Sequence, residues 1–177
     1  MRKFIVSLFS VFSAFVAVSA QNPISYSSVE KVEGVPATEL FSRAKKWVAV
    51  SFVSANDVVQ MSDNNTVVIK ANHIYDAMSA HHTLDYTMTI ECRDGRYKWT
   101  IDRYIYSCRW MTNPKVFEFG VLTDSETNTI HSGFFGGKKC NAFWSLAKEE
   151  SVKAKDILSQ SLSQSMNTAA QSSEDNW

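Results

Sequence analysis

The chain has 177 residues, with 45% hydrophobic, 12% aromatic and 20% charged side chains, and 18 basic residues balance 18 acidic ones. That composition excludes an intrinsically disordered chain, which needs low hydrophobicity and a large net charge, and a collagen-like or disulfide-dense scaffold. It fits one globular domain.

At the N-terminus, Arg2 and Lys3 precede an apolar run from Phe4 to Val18 that ends in Val18-Ser19-Ala20. A charged stretch, an apolar stretch and a small-residue cleavage site predict a signal peptide over residues 1–20. The run is broken by Ser7, Ser10 and Ser13. It is also short against the about 20 apolar residues of a bilayer span, so no transmembrane segment is expected in the mature chain. Gln21, the expected first mature residue, has no thiol for lipid attachment. Loss of Arg2 and Lys3 lowers the basic count from 18 to 16 against 18 acidic residues, a formal charge of −2. No basic excess remains for nucleic acid or an anionic membrane, and no nucleic-acid partner is expected. The expected location is outside the cytoplasm: periplasm, cell surface or extracellular. There one pair among Cys92, Cys108 and Cys140 could form, leaving one thiol over, and the sequence decides neither whether a disulfide forms nor which pair it would join.

Apolar and polar residues alternate from Ile24 to Val32, and Gly34 and Pro36 then stop the run, which predicts a first strand and a turn. Leu40, Phe41, Ala44, Trp47, Val48 and Phe52 recur at three- and four-residue spacing, which predicts an amphipathic helix of four turns. Asp57–Met61 and Thr66–Tyr75 read as strands joined by the turn-forming Ser62-Asp63-Asn64-Asn65. From His81 to Arg93 alternation is strict: Leu84, Tyr86, Met88, Ile90 and Cys92 share the buried face, and Thr83, Asp85, Thr87, Thr89 and Glu91 share the wet one. After Asp94-Gly95-Arg96 the pattern continues with Tyr97, Trp99, Ile101 and Ile105 inward and Tyr104 outward, and only Arg103 breaks the inner face.

Residues 109–140 read as an irregular, aromatic and glycine-rich excursion with short apolar pieces such as Val116–Phe119 and room for one short strand. Its glycines lack the Gly-Lys-Ser/Thr ending of a phosphate loop, because Lys139 and Cys140 follow Lys138. A second helix is predicted over 141–163 with Asn141 as N-cap, and the Ser-, Gln- and acid-rich residues 164–177 read as a disordered tail.

Chemistry is sparse. His73, His81, His82 and His131 lack zinc-ligand spacing, so no metal site and no cofactor are expected. Asp85, Glu91, Asp94 and Asp102 read as surface charge of one hairpin, although two facing carboxylates would suit a glycosidase. The aromatics are the most suggestive feature: Tyr104, Tyr106, Trp110, Phe134 and Phe135 exceed what one strand face can bury and are the candidate binding residues.

Three stretches carry a resemblance in combination: Ala44-Lys45-Lys46-Trp47 with Phe52, the run Tyr86–Lys98, and Ile101–Tyr106. Over about Ile24 to Cys108 the chain resembles a family of small secreted proteins of Gram-negative bacteria, domain of unknown function 4468. The resemblance implies an α+β fold similar to the TATA-box-binding protein, with one curved antiparallel sheet in the order strand, helix, four strands, helix, and the helices on one face. Residues 21–108 would form the core, and residues 109–140 exceed the family's usual length. The family has no assigned catalytic residue. The expected function is a non-enzymatic exported module that holds an envelope protein, peptide or glycan. The alternatives are a small exported hydrolase, signalled by Cys108, Cys140 or the hairpin carboxylates meeting His131 in a pocket, and a structural subunit of an envelope assembly.

Overall fold

The computed structural model describes residues 21–168, so the signal peptide expected over 1–20 and most of the expected tail lie outside the described residues. Six strands, β1 (Tyr26–Lys31), β2 (Val59–Asp63), β3 (Thr66–Ala77), β4 (Ala80–Arg93), β5 (Arg96–Trp110) and β6 (Val116–Val121), form a curved antiparallel sheet. Its order is β1-β5-β4-β3-β2. β1 pairs with the first half of β5 and β6 with the second half, so the two share one flank of that long strand. Among the described residues there are four helices: α1 (Ala37–Ser51), α2 (Ala55–Val58), α3 (Ser132–Phe135) and α4 (Gly137–Asn167).

The α+β fold expected from the sequence is present, with β6 added and the short α2 and α3 inserted between the main elements. Both long helices contact β4 and β5 and each other, which leaves the opposite sheet face open. α1 forms where the three- and four-residue spacing puts Leu40, Ala44, Trp47 and Val48 on one buried stripe. Its N-terminus is satisfied from the sheet, because Asp94 Oδ1 accepts the Ala37 N–H at 2.8 Å. Trp47 ties α1 to α4: its Nε1–H donates to Ser161 Oγ at 2.9 Å.

The β4–β5 hairpin contains the largest departure from the sequence reading. Pairing runs one to one from Arg93↔Arg96 to Thr87↔Asp102, then shifts, so that Asp85 faces Ile105. Tyr86 therefore stands opposite the two residues Arg103 and Tyr104, and Arg103 adopts a left-handed φ of 54°. This is a β-bulge, and one extra residue reverses the parity of everything after it. Tyr97, Trp99 and Ile101 point inward before it; Tyr104, Tyr106 and Cys108 point inward after it. The expectation that Ile105 is inside and Tyr104 outside is thereby inverted, with Ile105 46% exposed and Tyr104 fully buried.

Residues 109–140 are also more regular than their composition suggests. They hold β6, α3 and the first turn of α4, which starts at Gly137 and not at 141, and ends at Asn167 and not at 163. Asn141 is therefore no N-cap. It lies inside α4, where its Oδ1 accepts the Asn128 N–H at 3.1 Å and binds the preceding loop to the helix.

Candidate binding surface

One end of the sheet gathers aromatic side chains from segments far apart in sequence. β5 delivers Trp110, β6 delivers Phe117 and Phe119, α3 delivers Phe134 and Phe135, and the start of α4 delivers Phe143. Phe117 meets Phe134 at a centroid distance of 4.8 Å and Phe135 at 4.7 Å, and Phe135 reaches Trp110 at 5.6 Å and Phe143 at 5.6 Å. Such offset and edge contacts hold the rings as a rigid stack. His131 orients α3. With φ 64° it turns the chain, and its carbonyl accepts the N–H groups of Phe134 and Phe135 at 2.9 and 3.0 Å. Its ring Nε2–H donates to Glu118 O at 2.8 Å, which fixes the tautomer because a carbonyl can only accept.

The candidate residues separate cleanly here. Tyr104 and Tyr106 are fully buried and are corrected from surface to core, for the bulge just described. Trp110 and Phe135 are half-buried, and Phe134 is 62% exposed. Sequence reasoning missed their neighbours. Met78 and Met111 are exposed and come from neighbouring turns, since Met111 N–H donates to Ser79 O at 3.2 Å. Lysines frame the patch: Lys139 Nζ sits 4.0 Å from the Trp110 ring centroid, and Lys115 Nζ 5.2 Å from that of Phe117. Rigid aromatics, two flexible methionines and cations at the rim make an apolar surface with polar anchors, suited to a partner or a sugar face.

The patch includes a strained turn. Met78 and Ser79 connect β3 to β4 with φ values of 48° and 63°, the primed hairpin geometry that favours Asn-Gly. Asn64-Asn65 fills the corresponding turn between β2 and β3, at 49° and 59°, with residues that tolerate it. Exchanging Met78-Ser79 for Asn-Gly is therefore expected to raise unfolding stability by about 1–2 kcal/mol, read from urea denaturation.

Beneath the surface, His82 is fully buried and stacks between Tyr75, at 4.9 Å, and Tyr106, at 5.9 Å, with interplanar angles of 6°. Its Nε2–H donates to Ala77 O at 3.0 Å, so Nδ1 is the acceptor of the Tyr106 hydroxyl at 2.7 Å. The imidazole is neutral, and burial lowers its pKa below the usual histidine value. The unfolded state then binds the extra proton first, so stability falls as pH drops below about 6.5 toward the folded-state value, by up to about 1.4 kcal/mol per pH unit. His82→Gln is expected to flatten the thermal-midpoint profile between pH 7 and 5.

The features that would have signalled a hydrolase do not assemble. The three thiols are free and buried, and burial pushes Cys108 up to about 11, so it stays a thiol. Cys140 donates to Ile130 O at 3.5 Å, while His131 faces Glu118 O and phenyl rings. The hairpin carboxylates disperse: Asp94 serves α1, Glu91 lies 3.9 Å from Lys98, and a cleft of about 500 Å³ on the open face includes Asp85 with Lys70 and Arg103. Among the described residues, no three His, Cys, Asp or Glu side chains converge as a metal would require, and no helix is long and apolar enough to cross a membrane.

The family described as a domain of unknown function (DUF4468) with TBP-like fold matches residues 26–107. Two solved structures share the architecture. A TBP-like protein from Parabacteroides distasonis ATCC 8503 is 18% identical with a TM-score of 0.55, over 82% of this chain and 94% of that one. A DUF4468 family protein from Bacteroides ovatus ATCC 8483 is 11% identical with a TM-score of 0.56, over 84% and 89%. At these identities the likeness is one of fold. No curated protein matches the chain.

Proposed function

We propose that this chain, whose residues 26–107 match the DUF4468 family with TBP-like fold, is a non-enzymatic binding module exported to the periplasm, cell surface or exterior. Its partner is an envelope protein, peptide or glycan, held by the aromatic end of the sheet. The observation that carries this reading is Phe134: a phenyl ring 62% exposed, yet fixed by contacts to Phe117 and Phe135 and framed by lysines. Leaving a rigid aromatic in water costs about 25 cal/mol per Å² of apolar area, an expense that burial against a partner recovers. Export is supported by the charged and apolar start of the chain.

The test is a crosslinking pull-down from native envelope with the wild-type chain and the double variant Trp110→Ala, Phe134→Ser. Point variants are needed because removing residues 109–140 would take out β6 and the start of α4. Loss of a specific partner from the folded double variant supports the reading. Equal recovery by both proteins contradicts it.

A further inference from the structure

The open face of the sheet carries an arrangement that the aromatic surface does not explain. Where β1, β5 and β4 run side by side near the Asp94-Gly95 turn, Lys31 stands opposite Arg96, and Arg96 opposite Arg93. In the next outward-facing row, Val29, Lys98 and Glu91 align. Neighbouring strands lie about 4.8 Å apart, so a cross-strand row of three cations spans about 10 Å. Like charges directly opposite one another destabilise a sheet. Nothing relieves them: among the described residues Lys31, Arg93 and Arg96 make no ion pair, Asp94 is turned away to Ala37, and Glu91 engages Lys98 at 3.9 Å. Arg93 and Arg96 border a cleft of about 310 Å³ that Val29, Glu91, Tyr97 and Lys98 also line, and Lys31 stands opposite Arg96 at its edge strand.

We propose that Arg93, Arg96, Lys98 and Lys31 form a second site that binds a small soluble oxyanion of the phosphate type, as orthophosphate or a phosphate monoester. Two guanidinium forks from adjacent strands present paired N–H donors that match tetrahedral oxygens, and the two ammonium groups add charge on either side. Charge segregation sets this end apart from the rest of the open face. Farther along the sheet, Asp102, Asp85, Glu118 and Asp76 alternate with Lys70, Arg103 and Arg109, and no row holds three cations. The site lies at the opposite end of β5 from the aromatic surface and is independent of it.

The experiment is a titration of the 15N-labelled full chain with orthophosphate at constant ionic strength maintained with sodium chloride, followed by amide shifts. Saturable shifts confined to residues near 29–31 and 91–98 are expected, with at least tenfold weaker binding in Arg96→Glu. That variant should also melt at the same or a higher temperature, because the charge row would then alternate in sign, so lost binding is not lost folding. Shifts that do not saturate, or that persist in Arg96→Glu, overturn the proposal. Vesicles containing phosphatidylglycerol form the second arm: pelleting of the protein with them, without phosphate-induced shifts, assigns the cations to a lipid surface and likewise overturns it.

Discussion

Deleting Asp102 and Arg103 together is expected to abolish folding. Arg103 is the extra residue of the β-bulge, so losing it alone would leave Tyr104 two steps after Ile101 and still inward, whereas losing Asp102 as well puts Tyr104 directly after Ile101 and reverses every later side chain of β5. Tyr104, Tyr106 and Cys108, all buried, would turn to the open face, and half-exposed Ile105 would turn inward. Each large apolar side chain moved from core to water costs about 1.5–3 kcal/mol. His82 would also lose the hydroxyl that its Nδ1 accepts from Tyr106 at 2.7 Å. The total is comparable to the 5–15 kcal/mol that holds a typical domain together. Arg103→Gly is the matched control. It keeps the bulge and removes the left-handed strain of a side chain at φ 54°, so it should raise stability by about 1 kcal/mol. Far-UV circular dichroism with thermal unfolding reads both. A double-deletion variant that melts like the wild type would refute the register described here.

Trp47→Ala is expected to lose about 3–5 kcal/mol, the cost of emptying a large core position. Trp47 is fully buried, meets Phe52 edge to face at 5.7 Å and donates its indole N–H to Ser161 of α4, so it joins both long helices over the sheet. Trp47→Phe keeps much of the volume but loses the hydrogen bond, and should cost less than half as much. Urea midpoints separate the two, and unchanged m-values would show that the folded architecture is retained.

The elements legible in the sequence are those in which one periodicity runs unbroken. β4 alternates strictly and its inner residues Leu84, Met88 and Ile90 are all buried; α1 repeats at helical spacing and buries the stripe that spacing predicts. β5 is legible only as far as Ile101, because a bulge has no compositional mark beyond its own residue. That mark was present: an arginine on an otherwise apolar face signals an inserted residue as readily as a buried charge. The start of α4 was hidden by Gly136-Gly137, which read as loop, although Gly136 at φ 80° is the break between α3 and α4.

The candidate site was half legible for a related reason. Trp110, Phe134 and Phe135 stand out by composition within one segment, whereas Met78 reaches the patch from the β3–β4 turn, and its proximity to Met111 depends on strand pairing. Tyr104 and Tyr106 looked like surface aromatics only because their parity was read without the bulge. The cation row was invisible along the chain. Lys31 is more than sixty residues from Arg96, and they become neighbours only through the β1–β5 register.

The most direct test of the aromatic surface is site-specific photocrosslinking in the native envelope. The photoreactive phenylalanine analogue p-benzoylphenylalanine replaces Phe134 in one protein and Thr100, on the open sheet face, in another. The account predicts a discrete crosslinked species from position 134 and none of the same mass from position 100. The same species from both positions, or one from position 100 alone, would contradict it.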